Sequence, residues 1–367
     1  MKVICEKQRL VDAAANVSRA VSAKNTLAAL EGVLLRAHGN CLSLTGYDLE
    51  LAISTDIPAE VIEQGEIVLS ARLFLDMIRR MPSEEVSIHS DEKLLTIIKG
   101  QMTEYTILGI PASEYPELPA VAQAEMLELP QSVLKNMITQ TLFAIAISDS
   151  KPVHTGSLFD IQDGEMNVVS VDGYRLALRR EKINYEKALS FIVPGKSLSE
   201  VAKLLRDEES EIEVNVSKRH IIFRIGNYHV VSRLLEGEFL DYKAAIPTGG
   251  QTSIRISTRE FISAIDRAAL LISDNIKSPL RLRFEDGLIK ISCSTAIGKA
   301  YDEIGCSQSG DNVEIGFNSR YMLDALKASE GDEIQLVMNG PLSPIKLMPL
   351  EGDSFTFLVL PVRLKSE

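Results

Sequence analysis

The sequence repeats one pattern three times at a constant spacing of 124 residues. Short apolar runs at 67–69, 191–193 and 315–317 each precede a turn-like tetrad and then a helical pattern. A basic and an acidic residue recur at the same places of each copy: Arg72 and Asp76, Lys196 and Glu200, Arg320 and Asp324. Several offsets that agree in the same order predict three tandem copies of one fold.

The beginning of each copy is also similar. Helical periodicity starts near Leu10, Leu134 and Phe261, and the strand-like runs that follow carry turn pairs such as Asp163-Gly164 and Asp286-Gly287. Each copy therefore predicts a helix, antiparallel strands, a second helix and more strands, which is an α+β fold. Proline-rich joins place the domains at 1–122, 123–249 and 250–367.

The charge is unevenly distributed along the chain. The 39 basic and 51 acidic residues give a net charge of −12, which argues against a uniformly basic nucleic-acid binder. The six predicted helices (6–24, 72–80, 130–147, 195–206, 258–272 and 319–328) nevertheless carry +8, which leaves −20 on the rest. If these helices faced one space, that space would attract a polyanion such as duplex DNA. Surface helices often carry lysine and arginine, so this imbalance alone is a weak indication.

Compartment and metal signals are sparse. No window approaches the ~18 apolar residues of a membrane span, and the amino terminus is charged too early for a signal peptide. The four cysteines form no C-x-x-C pair and the five histidines are scattered. We therefore expect a cytoplasmic protein with no metal site and no membrane partner.

Two short motifs suggest enzymes. Gly195-Lys196-Ser197 resembles the end of a phosphate loop, but Ser190 stands where the motif needs its first glycine. Ser132 and Lys135 match S-x-x-K, and 273–275 match S-D-N, but the K-T-G element of serine acylases is absent. No catalytic residue is therefore predicted. The acylase and a repeat scaffold that binds only proteins remain as alternatives.

Several longer stretches carry a family resemblance. Leu44–Glu50, Val171–Leu176, Glu238–Tyr242 and the ending Leu358–Leu364 are similar to the bacterial DNA polymerase III beta subunit, the sliding-clamp family. The resemblance covers the whole chain. It implies three DNA-clamp domains, each with two helices packed on antiparallel sheet, that form half of a six-domain ring. Such a clamp encircles duplex DNA and confers processivity without chemistry or a cofactor.

The resemblance also implies partners and sites. The partners would be double-stranded DNA bound without sequence preference, a second copy in a head-to-tail homodimer, and proteins that carry short clamp-binding peptides. These proteins would include the polymerase III alpha subunit, clamp-loader subunits, other polymerases and repair proteins. Lys24, Lys151 and Lys196 match DNA-contacting positions. The helix pattern adds further candidates for DNA contact: Arg72, Arg79, Arg80, Lys203, Arg206 and Arg320.

A groove for partner peptides would be formed by residues 154, 173–176, 240 and a set near the carboxyl end: His154, Gly173, Tyr174, Arg175, Leu176, Leu240, Asn318, Tyr321, Leu342, Pro344, Leu358, Leu360, Pro361, Val362 and Arg363. Strand core is the alternative role for Leu176, Leu342 and Leu358. His154, Leu240 and Ala244 depart from the family pattern, which bears on peptide preference. The dimer interface would join Tyr105 and Ile107 to Leu270 and Leu271 of the other copy.

Overall fold

The computed structural model describes residues 1–22, 25–119, 124–147, 151–272 and 278–364. The chain divides into two compact units. The first unit comprises Met1–Gln131 and Lys203–Leu234, and the second comprises Ser132–Ala202 and Leu235–Glu367. The expected central domain, 123–249, therefore contributes segments to both units.

The described residues form seven α-helices: α1 (Lys7–Val17), α2 (Ala71–Arg80), α3 (Gln131–Thr139), α4 (Gly195–Leu204), α5 (Tyr242–Ala245), α6 (Thr258–Ala268) and α7 (Ser319–Ala328). The strands up to residue 182 are β1 (Lys2–Glu6), β2 (Gly32–His38), β3 (Cys41–Tyr47), β4 (Leu51–Pro58), β5 (Glu60–Glu63), β6 (Gly65–Ser70), β7 (Glu85–Ser90), β8 (Leu95–Gly100), β9 (Thr103–Leu108), β10 (Glu125–Pro130), β11 (Gly156–Gln162), β12 (Glu165–Val171) and β13 (Arg175–Lys182). The strands after residue 182 are β14 (Leu189–Pro194), β15 (Glu211–Val216), β16 (His220–Ile225), β17 (Tyr228–Arg233), β18 (Thr252–Ser257), β19 (Leu280–Glu285), β20 (Leu288–Thr295), β21 (Gly298–Gly305), β22 (Ser307–Gly310), β23 (Val313–Phe317), β24 (Glu333–Met338), β25 (Ile345–Met348) and β26 (Phe355–Val359).

Two sheets form the first unit. A five-stranded sheet has the order β5-β1-β7-β8-β9, and an eight-stranded sheet has the order β10-β15-β16-β17-β4-β3-β2-β6. In the larger sheet β17 pairs antiparallel with β4, with Tyr228 opposite Thr55 and Ser232 opposite Leu51. This pairing joins the expected first and central domains in one sheet.

The second unit has a matching arrangement. Its nine-stranded sheet has the order β14-β11-β12-β13-β26-β25-β24-β18-β22, and its four-stranded sheet has the order β21-β20-β19-β23. Here β13 pairs antiparallel with β26, with Arg175 opposite Val359 and Leu176 opposite Leu358. The expected central and third domains are therefore also joined through a shared sheet.

The predicted repeat is confirmed. The helices α2, α4 and α7 begin at Ala71, Gly195 and Ser319, which keeps the spacing of 124 residues, and each follows a strand. The equivalent residues Asp48 and Asp172 also act alike. Each carboxylate accepts hydrogen bonds from the backbone N–H groups two and three residues later, at 2.7–3.0 Å.

Four of the predicted helices are shorter than their windows; the helix predicted over 195–206 ends at Leu204, and the other three end much earlier than predicted. In 6–24, 130–147 and 258–272 the α-helix ends at Val17, Thr139 and Ala268, and each has a 3₁₀ turn beyond it. The Ser18 hydroxyl donates to the carbonyl of Ala14 at 2.6 Å, and Thr139 and Thr141 donate to carbonyls four residues earlier. The Cys293 thiol donates to the Ala268 carbonyl at 3.1 Å. Such side-chain bonds compete with continuation of the helix.

The helices pack their apolar faces on the sheets. In α1 the buried residues are Leu10, Ala13, Ala14 and Val17, spaced as one helical face. Gly46 lets this helix approach β3 closely, because a Cβ atom there would lie 2.1 Å from the Val17 carbonyl oxygen. Among the described residues, no helix is long and apolar enough to cross a membrane.

Candidate functional site

A cleft in the second unit, called here the tyrosine cleft, has a volume of about 980 Å³. Loops beside α3, β13, α6 and α7 contribute to it. Its lining residues are Ile145, Ala146, Ile147, Asp172, Tyr174, Arg175, Ile272, Ser278, Pro279, Asn318, Ser319, Arg320, Tyr321 and Val362. The cleft thus contains five residues of the predicted peptide groove: Tyr174, Arg175, Asn318, Tyr321 and Val362.

Two tyrosines form one wall of this cleft. The rings of Tyr174 and Tyr321 are stacked, with centroids 6.1 Å apart and an interplanar angle of 27°. Tyr174 is 62% exposed, and the turn that presents it contains Gly173 at a φ of +86°, where an L side chain would be strained. The pair offers an aromatic surface to a ligand, while the turn beneath it is held by Asp172.

Arg175 lies behind these rings. Its side chain is 10% exposed, its Nε atom lies 2.9 Å from Asp172 Oδ2, and its Nη1 atom lies 2.5 Å from Asp324 Oδ2. Its guanidinium also lies 4.5 Å from the Tyr321 ring centroid and 5.6 Å from that of Phe143. With two carboxylates and two aromatic faces around it, Arg175 fixes the wall of the cleft more than it offers a charge to a ligand.

Asn318 positions the first turn of α7. Its Oδ1 atom accepts hydrogen bonds from the N–H groups of Arg320 and Tyr321, at 3.0 and 3.4 Å. This N-cap satisfies donors at the start of the helix and sets the direction from which Tyr321 projects. The amide is therefore engaged in the fold even though the residue is exposed.

A second cleft, the tail cleft, adjoins the first through Val362 and has a volume of about 550 Å³. It is lined by Glu314, Ile315, Gly316, Pro341, Leu342, Pro361, Val362, Arg363 and Leu364. The Val362 N–H donates to the Gly316 carbonyl at 2.7 Å, which ties the end of the chain to β23. Leu342 is 79% exposed, so the alternative of a strand-core role is wrong for this residue.

The other predicted groove residues lie outside the two lining sets. Leu176 and Leu358 are cross-strand partners, each 3% exposed, in an apolar cluster with Val153, where they support the surface without forming it. Leu360, which is 39% exposed, follows that strand and donates its N–H to the Tyr174 carbonyl at 2.9 Å.

His154, Leu240 and Pro344 have three different environments. His154 is 9% exposed, and its ring packs edge-on against Phe239 with centroids 5.6 Å apart. Leu240 is 41% exposed, and Pro344 is half-buried. The departure at position 154 therefore places an imidazole in the interior, while that at position 240 changes an exposed apolar surface.

Sequence reasoning missed several apolar residues of the clefts. Ile145, Ile147, Ile272 and Pro279 line the tyrosine cleft, and Pro341 lines the tail cleft. Ile147 is 96% exposed. The sequence places Ile145 and Ile147 in a helix predicted over 130–147. The α-helix ends at Thr139, so these two isoleucines follow it and are available to a ligand.

The basic residues predicted to contact DNA lie mainly on helices. Arg72, Arg79 and Arg80 are exposed on α2, Lys196 and Lys203 are exposed on α4, and Arg206 and Lys151 are exposed outside the α-helices. Arg320 is exposed on α7 and also lines the tyrosine cleft. Lys24 lies outside the described residues. The ion pairs Arg80–Asp76 at 3.6 Å and Arg206–Glu208 at 3.7 Å are solvated and weak, which leaves these cations able to meet phosphates.

The residues predicted at a dimer interface lie on strand edges or beside them. Tyr105 and Ile107 are half-buried on β9, the last strand of its sheet. Leu270 is 81% exposed and Leu271 half-buried in the turn after α6. In the same unit β21 is the last strand of the four-stranded sheet. Both places present backbone groups to which another strand could add.

The enzyme-like motifs that the structure describes lie on the helices α3 and α4. Gly195 and Ser197 are buried in the first turn of α4, where a Cβ atom on Gly195 would lie 2.2 Å from Ile145 Cδ1. Ser132 and Lys135 are half-buried on α3, beside the buried Leu134. The S-D-N segment at 273–275 lies outside the described residues.

Comparisons with known proteins cover nearly the whole chain. Family models described as the DNA polymerase III beta subunit match it in three parts: the N-terminal domain at residues 1–119, the central domain at 128–241 and the C-terminal domain at 243–363. A Bacillus subtilis protein named beta sliding clamp is 35% identical, over 99% of this chain and 100% of its own. A Staphylococcus epidermidis protein of the same name is 36% identical over 94% of each chain.

Solved structures agree with these matches. The crystal structure of the DNA polymerase sliding clamp from Bacillus subtilis has a TM-score of 0.96 at 33% identity and covers 100% of both chains. A Pseudomonas aeruginosa sliding clamp bound to griselimycin has a TM-score of 0.94 at 28% identity, over 99% of this chain and 100% of that one. The sequence and structural matches together show that this chain belongs to the DNA polymerase III beta subunit family, the beta sliding clamps.

Proposed function

We propose that this chain is a processivity clamp that closes head-to-tail with a second copy around duplex DNA and holds polymerases through the tyrosine and tail clefts. The observation that carries the proposal is the match of three consecutive beta-subunit domains to the whole chain, together with full-length similarity to proteins named beta sliding clamp. The family also makes the chain a subunit without chemistry of its own. We assign its domains to 1–122, 123–249 and 250–367, and its place of action to the cytoplasm, at the nucleoid.

The two free strand edges support the head-to-tail dimer. In this arrangement β9 of one copy approaches β21 and the Leu270 turn of the other, so that strand addition continues the sheets across the interface. Leu270, the most exposed of these residues, would be covered by Tyr105 and Ile107. Because the contacting surfaces differ, the interface is heterologous, and two half-rings of three domains each close it into a ring.

The exposed cations on the helices support DNA binding without sequence reading. Lys24, Arg72, Arg79, Arg80, Lys151, Lys196, Lys203, Arg206 and Arg320 would line the hole. Phosphate contacts from such side chains carry no sequence information and are weakened by salt. A ring linked to DNA by its topology needs only sparse contacts of this kind, so it can slide while it remains attached.

The two clefts support capture of peptides with apolar anchors. Tyr174, Leu342, Leu360 and Val362 are all substantially exposed around clefts that would otherwise leave apolar surface in water. A short segment with leucine or phenylalanine anchors would cover them. The polymerase III alpha subunit, clamp-loader subunits, other polymerases and repair proteins are the partners we propose. Each tethered polymerase would then meet the primer end at a raised effective concentration.

The shape and mass of the particle test the ring directly. Light scattering on the purified chain should give about twice 40.4 kDa, and negative-stain images should show a particle with a central hole. A monomeric rod or a compact particle without a hole would overturn the ring. Peptide binding would then need a separate explanation.

A further inference from the structure

A cluster outside the clamp surfaces brings three metal-ligating side chains together on the eight-stranded sheet. His38, Cys41 and Asp56 each offer a ligand atom, and these atoms all lie within 4.8 Å of one another. None of the three belongs to the predicted DNA-contacting, peptide-binding or dimer residues. We propose that this cluster is a binding site for a borderline-soft divalent cation such as Zn²⁺.

The strand register places these side chains on one face. His38 is opposite Cys41 across the β2–β3 hairpin, and Ser43 is opposite Asp56 across β3 and β4. Because residues two apart on a strand share a face, Cys41 and Ser43 lie together, with His38 and Asp56 beside them. Gly39, at a φ of +52°, permits the tight turn that sets His38 and Cys41 three residues apart. The backbone therefore places the three side chains on one face, and side-chain rotation sets the distances between their ligand atoms.

The separation of Cys41 from His38 is close to the value that a zinc ion requires. Cys41 Sγ lies 3.6 Å from His38 Nδ1 and 3.7 Å from Nε2. Zinc bonds of about 2.3 Å to sulfur and about 2.0 Å to nitrogen, at a tetrahedral angle, put those two atoms about 3.5 Å apart. His38 and Asp56 are exposed, so rotation of their side chains can bring the remaining ligand atoms into range. The fourth position would be taken by water.

Ser43 already links two of the ligands. Its hydroxyl lies 2.8 Å from His38 Nε2 and donates to the Asp56 carboxylate. The imidazole and the carboxylate thus point towards one location, which a cation could occupy in place of the hydroxyl bridge. Imidazole, thiolate and carboxylate are together the ligand types that Zn²⁺ favours, whereas Mg²⁺ would be bound through oxygen alone. The thiol proton would leave as the metal binds.

Sequence spacing alone indicated no metal site at these residues. His38 and Cys41 form H-x-x-C, but the third ligand comes from the next strand, 15 residues further on. Only the pairing of β3 with β4 brings Asp56 to the same face. This inference does not depend on the proposed clamp function, and either can fail without the other.

The test is titration of the full-length chain with ZnCl₂ under reducing conditions after removal of metal by chelation. Calorimetry should give one Zn²⁺ per chain for the wild type, and Cys41→Ser should weaken binding at least tenfold. Cys306→Ser is the matched control, because Cys306 is also a half-buried free thiol, and it should bind like the wild type. His38→Gln is a second variant that removes a ligand without touching any thiol, and it should also weaken binding.

Cobalt gives an independent readout of the sulfur ligand. Co²⁺ bound to the wild type and to Cys306→Ser should show a thiolate-to-metal charge-transfer band that Cys41→Ser lacks. Absence of Zn²⁺ binding by the wild type would overturn the proposal. So would a Cys41→Ser variant that folds, as judged by circular dichroism, and binds as tightly as the wild type.

Discussion

The Nη1 atom of Arg175 lies 2.5 Å from Oδ2 of Asp324, and this contact ties β13 to α7 at the back of the tyrosine cleft. Arg175 is largely buried, and its other carboxylate partner, Asp172, holds the Tyr174 turn. The Arg175–Asp324 ion pair therefore links the Tyr174 and Tyr321 wall of the cleft to β13 and α7.

Loss of the Asp324 charge should destabilise the fold selectively. We expect Asp324→Asn to lower the free energy of unfolding by about 1–3 kcal/mol, because a mostly buried guanidinium loses a hydrogen bond to one of its two carboxylates. Asp76→Asn is the matched control. Asp76 occupies the same place in the repeat but pairs with Arg80 at 3.6 Å in solvent, so its loss should cost less than about 0.5 kcal/mol. Urea unfolding measures both variants, and equal effects would contradict this role for Arg175.

The peptide clefts should depend on a few exposed apolar side chains. Tyr174→Ala and Leu360→Ala should each weaken the binding of a labelled polymerase-tail peptide at least tenfold, and together they should abolish it, because anchor residues lose the surface that they bury. Leu350→Ala is the matched control, since Leu350 is 38% exposed and Leu360 39%, whereas Leu360 is bonded to the Tyr174 carbonyl beside the tyrosine cleft and Leu350 is not a predicted groove residue. Fluorescence polarisation measures the affinities. Unchanged affinity in the double variant, with the dimer intact, would reject these anchors.

Two equally exposed leucines should have separate roles. Leu270 is 81% exposed beside the proposed dimer interface, and Leu342 is 79% exposed in the tail cleft. We expect Leu270→Glu to give monomers that still bind peptide, because a buried carboxylate opposes the interface. Leu342→Glu should give dimers that bind peptide poorly. Light scattering measures the dimer and fluorescence polarisation measures peptide binding in both variants. The assignment would be contradicted if each substitution affected both the dimer and peptide binding.

Alkaline pH should act on the fold partly through Tyr242. Burial, together with the hydrogen bond to Asp160 at 2.6 Å, raises the pKa of this phenol well above its usual value of 10.0. The folded state therefore keeps the proton to higher pH than the unfolded state does. The contribution of the Tyr242 phenol to the free energy of unfolding is complete below about pH 10 and falls as the pH rises further.

Tyr242→Phe is the test of that contribution. At pH 8 the variant should be less stable than the wild type by about 1 kcal/mol, since it lacks one buried hydrogen bond. Between pH 10 and pH 11 the difference should shrink, because only the wild type then loses stability through this phenol. Thermal unfolding across this range measures the difference. A difference that is constant with pH would contradict the role of Tyr242.

Local signals in the sequence predicted the repeated elements well. The hairpin turn pairs Asp163-Gly164 and Asp286-Gly287 do adopt positive φ at both residues, and the helices after the repeated strands begin 124 residues apart. These features depend on the conformational preferences of a few neighbouring residues, which a sequence states directly.

Partners distant along the chain could not be predicted in the same way. Asp76 and Asp324 occupy equivalent positions in the repeat, yet one pairs within its own helix and the other with Arg175, 149 residues away. The pairing of β4 with β17 and the meeting of His38 with Asp56 also depend on which strands become neighbours. The resemblance to a family supplied the groove residues, but it did not distinguish the buried Leu176 and Leu358 from the exposed Leu342.

Topological linkage to DNA is the central claim, and its most direct test is retention on DNA of different topology. The chain is loaded by a clamp loader onto nicked circular DNA, separated by gel filtration and then exposed to an enzyme that linearises the circle. The account predicts that the chain elutes with the circle and is released once free ends exist. Equal retention on circular and linear DNA, or no retention on the circle after loading, would contradict it.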